Sequence, residues 1–423
     1  MTPAILTLAI LLVAVVLFVT EKIPLAVTAM LVLISLVLSH ILTPEEAFQG
    51  FVNKNVILFC AMFVVGGALF ETGMANRIGG LVTHFAKTER QLLAGVMIVV
   101  ALLSGFLSNT GTAAVMIPAV LGIASRSGIR RSKLLMPLAF ASAMGGNLSL
   151  IGAPGNLIVD STLAQMGDGA HFGFFSFALI GLPMMIVALI YFLSVGYKLL
   201  PDHDVPDDGA FSDHVVESAP WKQYFALAIL VATVLAMVFQ SFIGFGMHVI
   251  GVVGALLLIL VGIMSETKAL RAIDARVIFL FAGMLPMATA MQKTGLGTML
   301  AENVVEQLGH APSPRLLLSV LFVISAGLSQ FMSNTATTAL LAPIGGAIAV
   351  GLGADPSAVL MAIVIGGSCA FATPLGMPAN TMVLGLGGYS FNDYVKAGLP
   401  LVVVGYLVSV ILLPMIWPFY PNG

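Results

Sequence analysis

The sequence predicts an all-α polytopic membrane protein made of two inverted repeats, each with five crossings, one of them a broken helix, and one re-entrant hairpin. Three observations carry this prediction. Of the 423 residues, 59% are hydrophobic and only 9% charged, with a mean hydropathy of +1.08. A soluble domain carries about 25% charged residues to solvate its surface, so most of this surface is expected to face lipid. A set of polar motifs occurs twice, in the same order and at nearly one spacing. Lysine and arginine fall almost wholly on one side of the resulting layout.

A spanning helix needs about 20 mostly apolar residues. In the first half such runs lie near 4–20, 23–40, 54–71 and 174–200, and in the second near 221–240, 246–264, 275–293 and 395–418. The first run lacks a positively charged leader and is followed at once by another apolar run, so it reads as a retained span. Between the third and last run of each half lie 91–164 and 314–388, apolar but interrupted by Ser, Asn, Thr, Gly and Pro. These are divided into a hairpin at 91–125 and a broken helix at 132–164, with counterparts at 314–351 and 355–388. Residues 201–219 are acidic and Pro/Gly-bearing and read as a cytoplasmic linker, which leaves 1–200 and 220–423 as the two repeats.

The duplication rests on particular residues. Ser108-Asn109-Thr110 recurs as Ser333-Asn334-Thr335, and Ala153-Pro154-Gly155-Asn156 parallels Met377-Pro378-Ala379-Asn380. Thr72-Gly73 returns as Thr294-Gly295, and Gly181-Leu182-Pro183 as Gly398-Leu399-Pro400. Five crossings per half is an odd number, so the second half enters the membrane upside down relative to the first, a recurrent transporter architecture. With the N-terminus outside, only Lys54, Lys293 and Arg315 of the 17 Lys and Arg fall on outward loops. The remainder lie inward, as the positive-inside rule requires. The layout places both termini on the non-cytoplasmic side of a cell (inner) membrane.

Chemistry is expected where the hairpins turn. Ser104-x-x-x-Ser108-Asn109-Thr110 and Ser329-x-x-x-Ser333-Asn334-Thr335 sit mid-hairpin between apolar limbs. Irregular backbone at membrane depth is tolerated only inside protein or beside a wet cavity, so polar tips imply a polar site near the midplane. Residues four apart share a helix face, which lets each Ser pair aim two hydroxyls at one point. Asn adds a carbonyl acceptor and an amide donor. Such a set suits a small hard cation through its oxygens, and an anion through its donors and the free N–H groups of a helix start. A lone Ser in a spanning helix serves packing; two matched copies ask for more. The helix breaks Ser142–Asn156 and Cys369–Asn380 add Pro and Gly, which free carbonyls and amides at mid-membrane.

Absences narrow the function. The predicted tips and breaks contain no Asp, Glu, Lys, Arg or His, and direct proton coupling usually needs an embedded titratable group. A bound anion would then lack a protein cation, and co-transported sodium would neutralise it instead. Glu71 and Asp160 are read as interfacial, and His84, His171, His203 and His214 as solvent-facing. Cys60 and Cys369 form neither a disulfide framework nor a metal-ligand spacing. A net charge of −2 offers nothing to nucleic acid, and no organic cofactor is implied. No nucleophile–base pair, carboxylate pair or His/Cys cluster is placed at membrane depth, which weighs against an intramembrane enzyme.

At these residues the chain resembles the divalent anion:sodium symporter family of the ion transporter superfamily, over nearly its whole length, 4–418. The duplicated Ser-Asn-Thr motifs and residues 368–380 are the most specific markers. The resemblance implies a homodimer in the lipid bilayer working by an elevator motion. It implies that Asn109, Thr110, Asn334 and Thr335 contact a small anionic carboxylate substrate, with Thr373 and Pro374 lining the same pocket. Ala143 occupies the place of a substrate-contacting Ser. One sodium site would use Ser104, Ser108, Asn109 and a backbone carbonyl near Ser142; the other would use Ser329, Asn334 and the carbonyls of Met332 and Ala372. Gly155 replaces the second Pro of the family's first Pro-Pro-Asn, and the family's occasional extra leading helix is missing, which gives ten crossings.

The function expected is secondary active transport: sodium-coupled symport of di- or tricarboxylates of the succinate, malate or citrate class by elevator-type alternating access. Competing readings are a carboxylate exchanger without sodium coupling, a symporter of sulfate or another oxyanion, efflux of a cation or metalloid, and an anion channel.

Overall fold

The computed structural model describes residues 2–80, 88–166, 169–202, 218–308 and 313–420. Most of the linker expected at 201–219, together with His84, His203 and His214, lies outside the described residues. Among those described there is no strand, and the chain is an all-α membrane protein. Its principal helices in the first half are α1 (Pro3–Thr20), α2 (Leu25–Leu38), α3 (Lys54–Glu71), α4 (Glu89–Ser104), α5 (Asn109–Ser127), α6 (Leu135–Gly145), α7 (Pro154–Met166) and α8 (Ala178–Leu193). The second half supplies α9 (Pro220–Val238), α10 (Met247–Leu260), α11 (Ala275–Thr294), α12 (Leu296–Leu308), α13 (Pro314–Ser329), α14 (Asn334–Gly351), α15 (Pro356–Ser368), α16 (Pro378–Leu386) and α17 (Phe391–Ile416).

Local chemistry sets where these helices begin. Thr88 and Gln91 form a reciprocal capping box at the start of α4, and Ser390 with Asp393 does the same for α17. That box starts α17 four residues before the apolar run expected at 395–418. Thr2 and Ser313 cap α1 and α13, each followed by a Pro whose missing N–H costs nothing at a first turn. Among the described residues five helices are long and apolar enough to cross a membrane, α1, α9, α11 and α17 among them. Val16 on α1 is 60% exposed and Ile411 on α17 58%, a surface that only lipid can cover cheaply.

The helices pack as two groups. In the first, α2 lies along α11, α3 along α10 and α10 along α9. In the second, α6 is clasped by α4 and α5, and α15 by α13 and α14. Every residue of α6 and of α15 is buried, which explains why neither shows an amphipathic period: a helix apolar all round belongs in a core. The chain's halves meet inside this second group. The rings of Phe140 and Phe371 meet at a tilt of 52° with centroids 5.1 Å apart, and Ser368 Oγ donates to Asn147 Oδ1 at 3.0 Å. Tyr389 Oη accepts from Met136 N at 2.9 Å and donates to Ser132 O at 2.8 Å.

The motifs that recur in sequence perform the same local tasks in each half. Thr72 and Thr294 each return their hydroxyl to the carbonyl four residues back, Ala68 or Ala290, both at 2.8 Å. The glycine that follows, Gly73 or Gly295, turns the chain with φ +76° or +71°, a conformation that glycine adopts without strain. Gly181 of α8 and Gly398 of α17 each press against a helix break. A methyl group would fall 2.0 Å from Asn147 O in one case and 1.9 Å from Phe371 O in the other. Pro118 and Pro343 stand inside the second limbs of the two hairpins at matching places.

Candidate functional site

The two polar tips end the first limbs, α4 and α13, and open the second, α5 and α14. Ser108 is the N-cap of α5 and accepts from Gly111 N at 3.1 Å; Ser333 is the N-cap of α14 and accepts from Ala336 N at 3.2 Å. Asn109 and Asn334 are therefore the first helical residues, with their side chains beside unsatisfied N–H groups. Both tips reach one cavity of about 420 Å³, lined by Ser108, Asn109 and Thr110 from one side and Ser333, Asn334 and Thr335 from the other. Pro154 and Gly155 at the start of α7, and Pro378 and Ala379 at the start of α16, stand in its wall with Ser368, as do Pro24 and Leu25 at the start of α2 and Arg276 and Val277 at the start of α11. Six helices thus begin at the cavity, and their dipoles put partial positive charge there.

The first helix break adds oxygens. Ser104 Oγ lies 2.8 Å from Asn109 Oδ1 and donates to Ser142 O at 2.6 Å. The same Asn109 amide atom sits 3.2 Å from both Ser142 O and Gly152 O. As an oxygen it would face only other oxygens; as a nitrogen its two N–H groups would face Ser104 Oγ, Ser142 O and Gly152 O. The break is held open by Asn156, whose Nδ2 donates to Gly146 O at 2.8 Å and Ser149 O at 2.7 Å.

The second break is built differently at its centre. Gln330 stands where the first half has Gly105, and its side chain fills the break. Nε2 donates to Ala326 O at 2.7 Å and Cys369 O at 2.9 Å, while Oε1 accepts from Ala372 N at 2.9 Å. Ser329 Oγ turns back to Ala326 O at 3.1 Å, and Asn334 Oδ1 is buried with no partner. An unpaired buried acceptor is costly, and a cation or a donor from the cavity would satisfy it. Met332 is buried below the tip.

Of the residues expected to touch substrate, Asn109, Thr110, Asn334 and Thr335 line the cavity together. Ala143 is fully buried within α6, and Thr373 is committed to its own loop. Its hydroxyl donates to Gln330 O and accepts from Leu375 N at 3.3 Å and Gly376 N at 3.2 Å. Neither Ala143, Thr373 nor Pro374 is on the cavity wall, where Ser368 and the starts of α7 and α16 stand instead.

Two expectations about charge are corrected. Asp160 is 1% exposed, at the centre of a polar cluster. It accepts from Asn55 Nδ2 at 2.7 Å and Phe172 N at 2.7 Å, and lies 3.0 Å from His171 Nδ1. That partner raises the pKa of His171 above its ordinary value, chiefly through the side-chain hydrogen bond, so His171 does more than face solvent. Nor is the cavity free of protein cations: Arg276, at the start of α11, lines it together with Asp274. A second cavity of about 630 Å³ shares Phe63, Ser108, Thr110, Pro154 and Asp274 with the first and runs on to Glu71, Lys268 and Arg271. Sequence reasoning missed Gln330, Arg276 and the burial of Asp160; a polar residue directly after Ser329, in the hairpin expected at 314–351, was the one available signal for the first.

Comparison with known proteins decides the family. The family model described as a citrate transporter matches residues 15–366 and 313–421. The chain belongs to the citrate transporter family. It is 27% identical to YfbS of Escherichia coli, an uncharacterized transporter, over 97% of this chain and 99% of that protein. It is 26% identical to SdcS of Staphylococcus saprophyticus, a sodium-dependent dicarboxylate transporter, over 95% of this chain and 84% of that protein. Among solved structures, the YdaH transporter of Alcanivorax borkumensis superposes with a TM-score of 0.67 at 17% identity, covering 98% of both chains. The Neisseria gonorrhoeae efflux pump MtrF gives 0.64 at 16%, over 92% of this chain and 85% of that one; these two establish the fold alone. This citrate transporter family member is a multi-pass membrane transporter of the citrate/dicarboxylate family and not an enzyme.

Proposed function

We propose that the protein couples sodium to the uptake of a small di- or tricarboxylate, by moving the paired hairpin tips past a fixed frame of helices. The observation that carries this reading is that both Ser-Asn-Thr tips line one cavity, at which six helices begin. N–H groups, amides and hydroxyls there can hold a carboxylate, and the likeness to sodium-dependent SdcS supports the carboxylate class. Sodium would sit against Ser104, Ser108, Asn109 and the carbonyl of Ser142. A second ion would sit below the other tip, among Ser329, Asn334 and the carbonyls of Met332 and Ala372, where Asn334 Oδ1 awaits a partner.

In this reading the two halves are inverted repeats in a cell membrane, with five crossings each and both termini outside, and two copies work as a dimer. The wide cavity beyond the tips ends at Lys268 and Arg271, on the side that the positive-inside rule makes cytoplasmic. The conformer is thus inward-open. On the opposite side Asn55 at the start of α3 is bound to Asp160 and Ser161 of α7, which keeps that face shut.

One observation favours a second reading, sodium-independent exchange. With its amide turned over, Asn109 would donate to Ser104 Oγ, Ser142 O and Gly152 O, which satisfies the cluster without an ion. Uptake of labelled succinate and citrate into proteoliposomes, with and without an inward sodium gradient, separates the two. Accumulation that follows sodium supports symport, and sodium-independent counterflow makes the protein an exchanger.

A further inference from the structure

We propose that Arg276, assisted by Arg271, is an anion-binding subsite on the cytoplasmic route to the cavity, and that it grips a second carboxylate of the solute only while the cavity is open to that side. The proposal rests on the carboxylate reading above and deepens it.

Charge accounting along the route isolates these two side chains. The tips and the starts of α7 and α16 contribute neutral groups only. Four ionic side chains besides Arg276 line the two adjoining cavities: Glu71, Lys268, Arg271 and Asp274. Lys268 is tied to Glu71 in an ion pair. Asp274 is spent on the start of α11, where its Oδ1 accepts from Arg276 N at 3.0 Å. Neither Arg271 nor Arg276 has a carboxylate within ion-pair distance among the described residues. Two guanidinium groups therefore flank the path without a direct ion pair, and with Asp274 as the one unpaired carboxylate beside them they leave it net positive, in a chain in which charged residues are only 9% of the total. A guanidinium presents a planar fork that matches a carboxylate in two hydrogen bonds, and it stays charged at any working pH.

Placement makes this subsite one-sided. Arg276 is in the first turn of α11, which packs most along α2 and also against α14 and α7; in the proposed motion α11 stays with α2 in the frame while the tips move. When the tips carry a solute to the outer face they leave Arg276 behind. A dicarboxylate at the tips with the cavity open inward can extend its far carboxylate to Arg276; the same solute at the outer face has no such partner. A monocarboxylate has nothing to extend in either state.

The test uses membrane vesicles of both orientations holding the full-length protein. Everted vesicles present the cytoplasmic face, and right-side-out vesicles the external face, to labelled succinate. Arg276→Gln is expected to raise the KM at the cytoplasmic face about five- to tenfold, the loss of one partly screened charge-assisted contact. The KM at the external face should change less than about twofold, since exposed charges beyond a Debye length are screened. Arg276→Lys should recover part of the loss, keeping charge without the fork. Arg271→Gln should act in the same direction but less strongly, and inhibition by butyrate, a monocarboxylate, should not change. Equal KM changes at both faces, or none at either, would overturn the subsite while leaving carboxylate transport intact. Wild-type vesicles that move neither labelled succinate nor labelled citrate from either face would overturn the carboxylate reading, and this subsite with it.

Discussion

Asn156 and Asn380 perform one task in two places: each side-chain amide donates to two carbonyls of the helix break that precedes it. Asn156 Nδ2 reaches Gly146 O and Ser149 O at 2.8 and 2.7 Å, and Asn380 Nδ2 reaches Ala370 O and Thr373 O at 2.8 and 2.9 Å. A break inside an apolar core strands carbonyls that water would otherwise satisfy, and one amide answers two of them. Asn156→Ala or Asn380→Ala should each cost about 2–5 kcal/mol, two buried acceptors left unpaired. Thermal unfolding in detergent reads the loss, and Asp at either position, which brings only acceptors, should be worse than Ala.

The glycines that press on those breaks make a sharper test. A methyl group at Gly181 or Gly398 would overlap the carbonyl oxygen of Asn147 or Phe371. Neither carbonyl can retreat without dismantling its break. Both alanine variants should lose about 3 kcal/mol or more, in the range reserved for overpacked cores. Gly122→Ala, where a methyl meets nothing within 4 Å, should gain about 0.5–1 kcal/mol from helix propensity. The three melting temperatures measured side by side decide the point.

Asp160 is a buried acid, and its partners predict its behaviour. Asp160→Ala strands Phe172 N and takes one acceptor from Asn55 Nδ2, which keeps Ser161 Oγ, and should destabilise by about 1–3 kcal/mol, the cost of a buried donor left unpaired. His171 contributes with a definite sign. Its pKa is raised by Asp160 above 6.5, so its stabilisation is complete below about pH 6.5 and fades as pH rises through the elevated folded value. His171→Gln should therefore lower the melting temperature at pH 6 and have little effect at pH 9. Because the imidazole is half-exposed, the difference should be under about 1 kcal/mol.

Ser104 links a tip to a break, since its hydroxyl touches Asn109 and donates to Ser142 O. Ser104→Ala should raise the sodium concentration for half-maximal uptake about tenfold, the loss of one oxygen on a cation, while maximal uptake at saturating sodium stays within about twofold. Titration of uptake against sodium at constant ionic strength checks it. An unchanged sodium dependence would remove Ser104 from the ion site.

The sequence revealed what violates the chemistry of lipid. Ser108-Asn109-Thr110 and Ser333-Asn334-Thr335 stand out because polar side chains in apolar limbs demand a polar neighbour. Thr72-Gly73 and Thr294-Gly295 recur because each ends a helix with the same hydroxyl and the same left-handed glycine. Helices α6 and α15, apolar on every face, could be placed only by the breaks that follow them. Other features depend on distances that no local pattern encodes. Asp160 sits near the end of its helix, as an interfacial acid would, and only the approach of α3 brings Asn55 over it. Arg276 looks like one more positive-inside charge until the starts of α5 and α14 are brought opposite it. Thr373 carries the residue type expected of a pocket, yet the insertion of Gln330 into the second break draws its hydroxyl into the loop.

The most direct test of the account is whether both tips serve one solute. Sodium-driven uptake of labelled succinate should be measured in proteoliposomes of the wild type, Asn109→Ala and Asn334→Ala, each checked for unchanged helical content and elution. Loss of uptake to the level of empty liposomes in both variants is the predicted result. Wild-type uptake in either one would contradict a single site shared by the two hairpins.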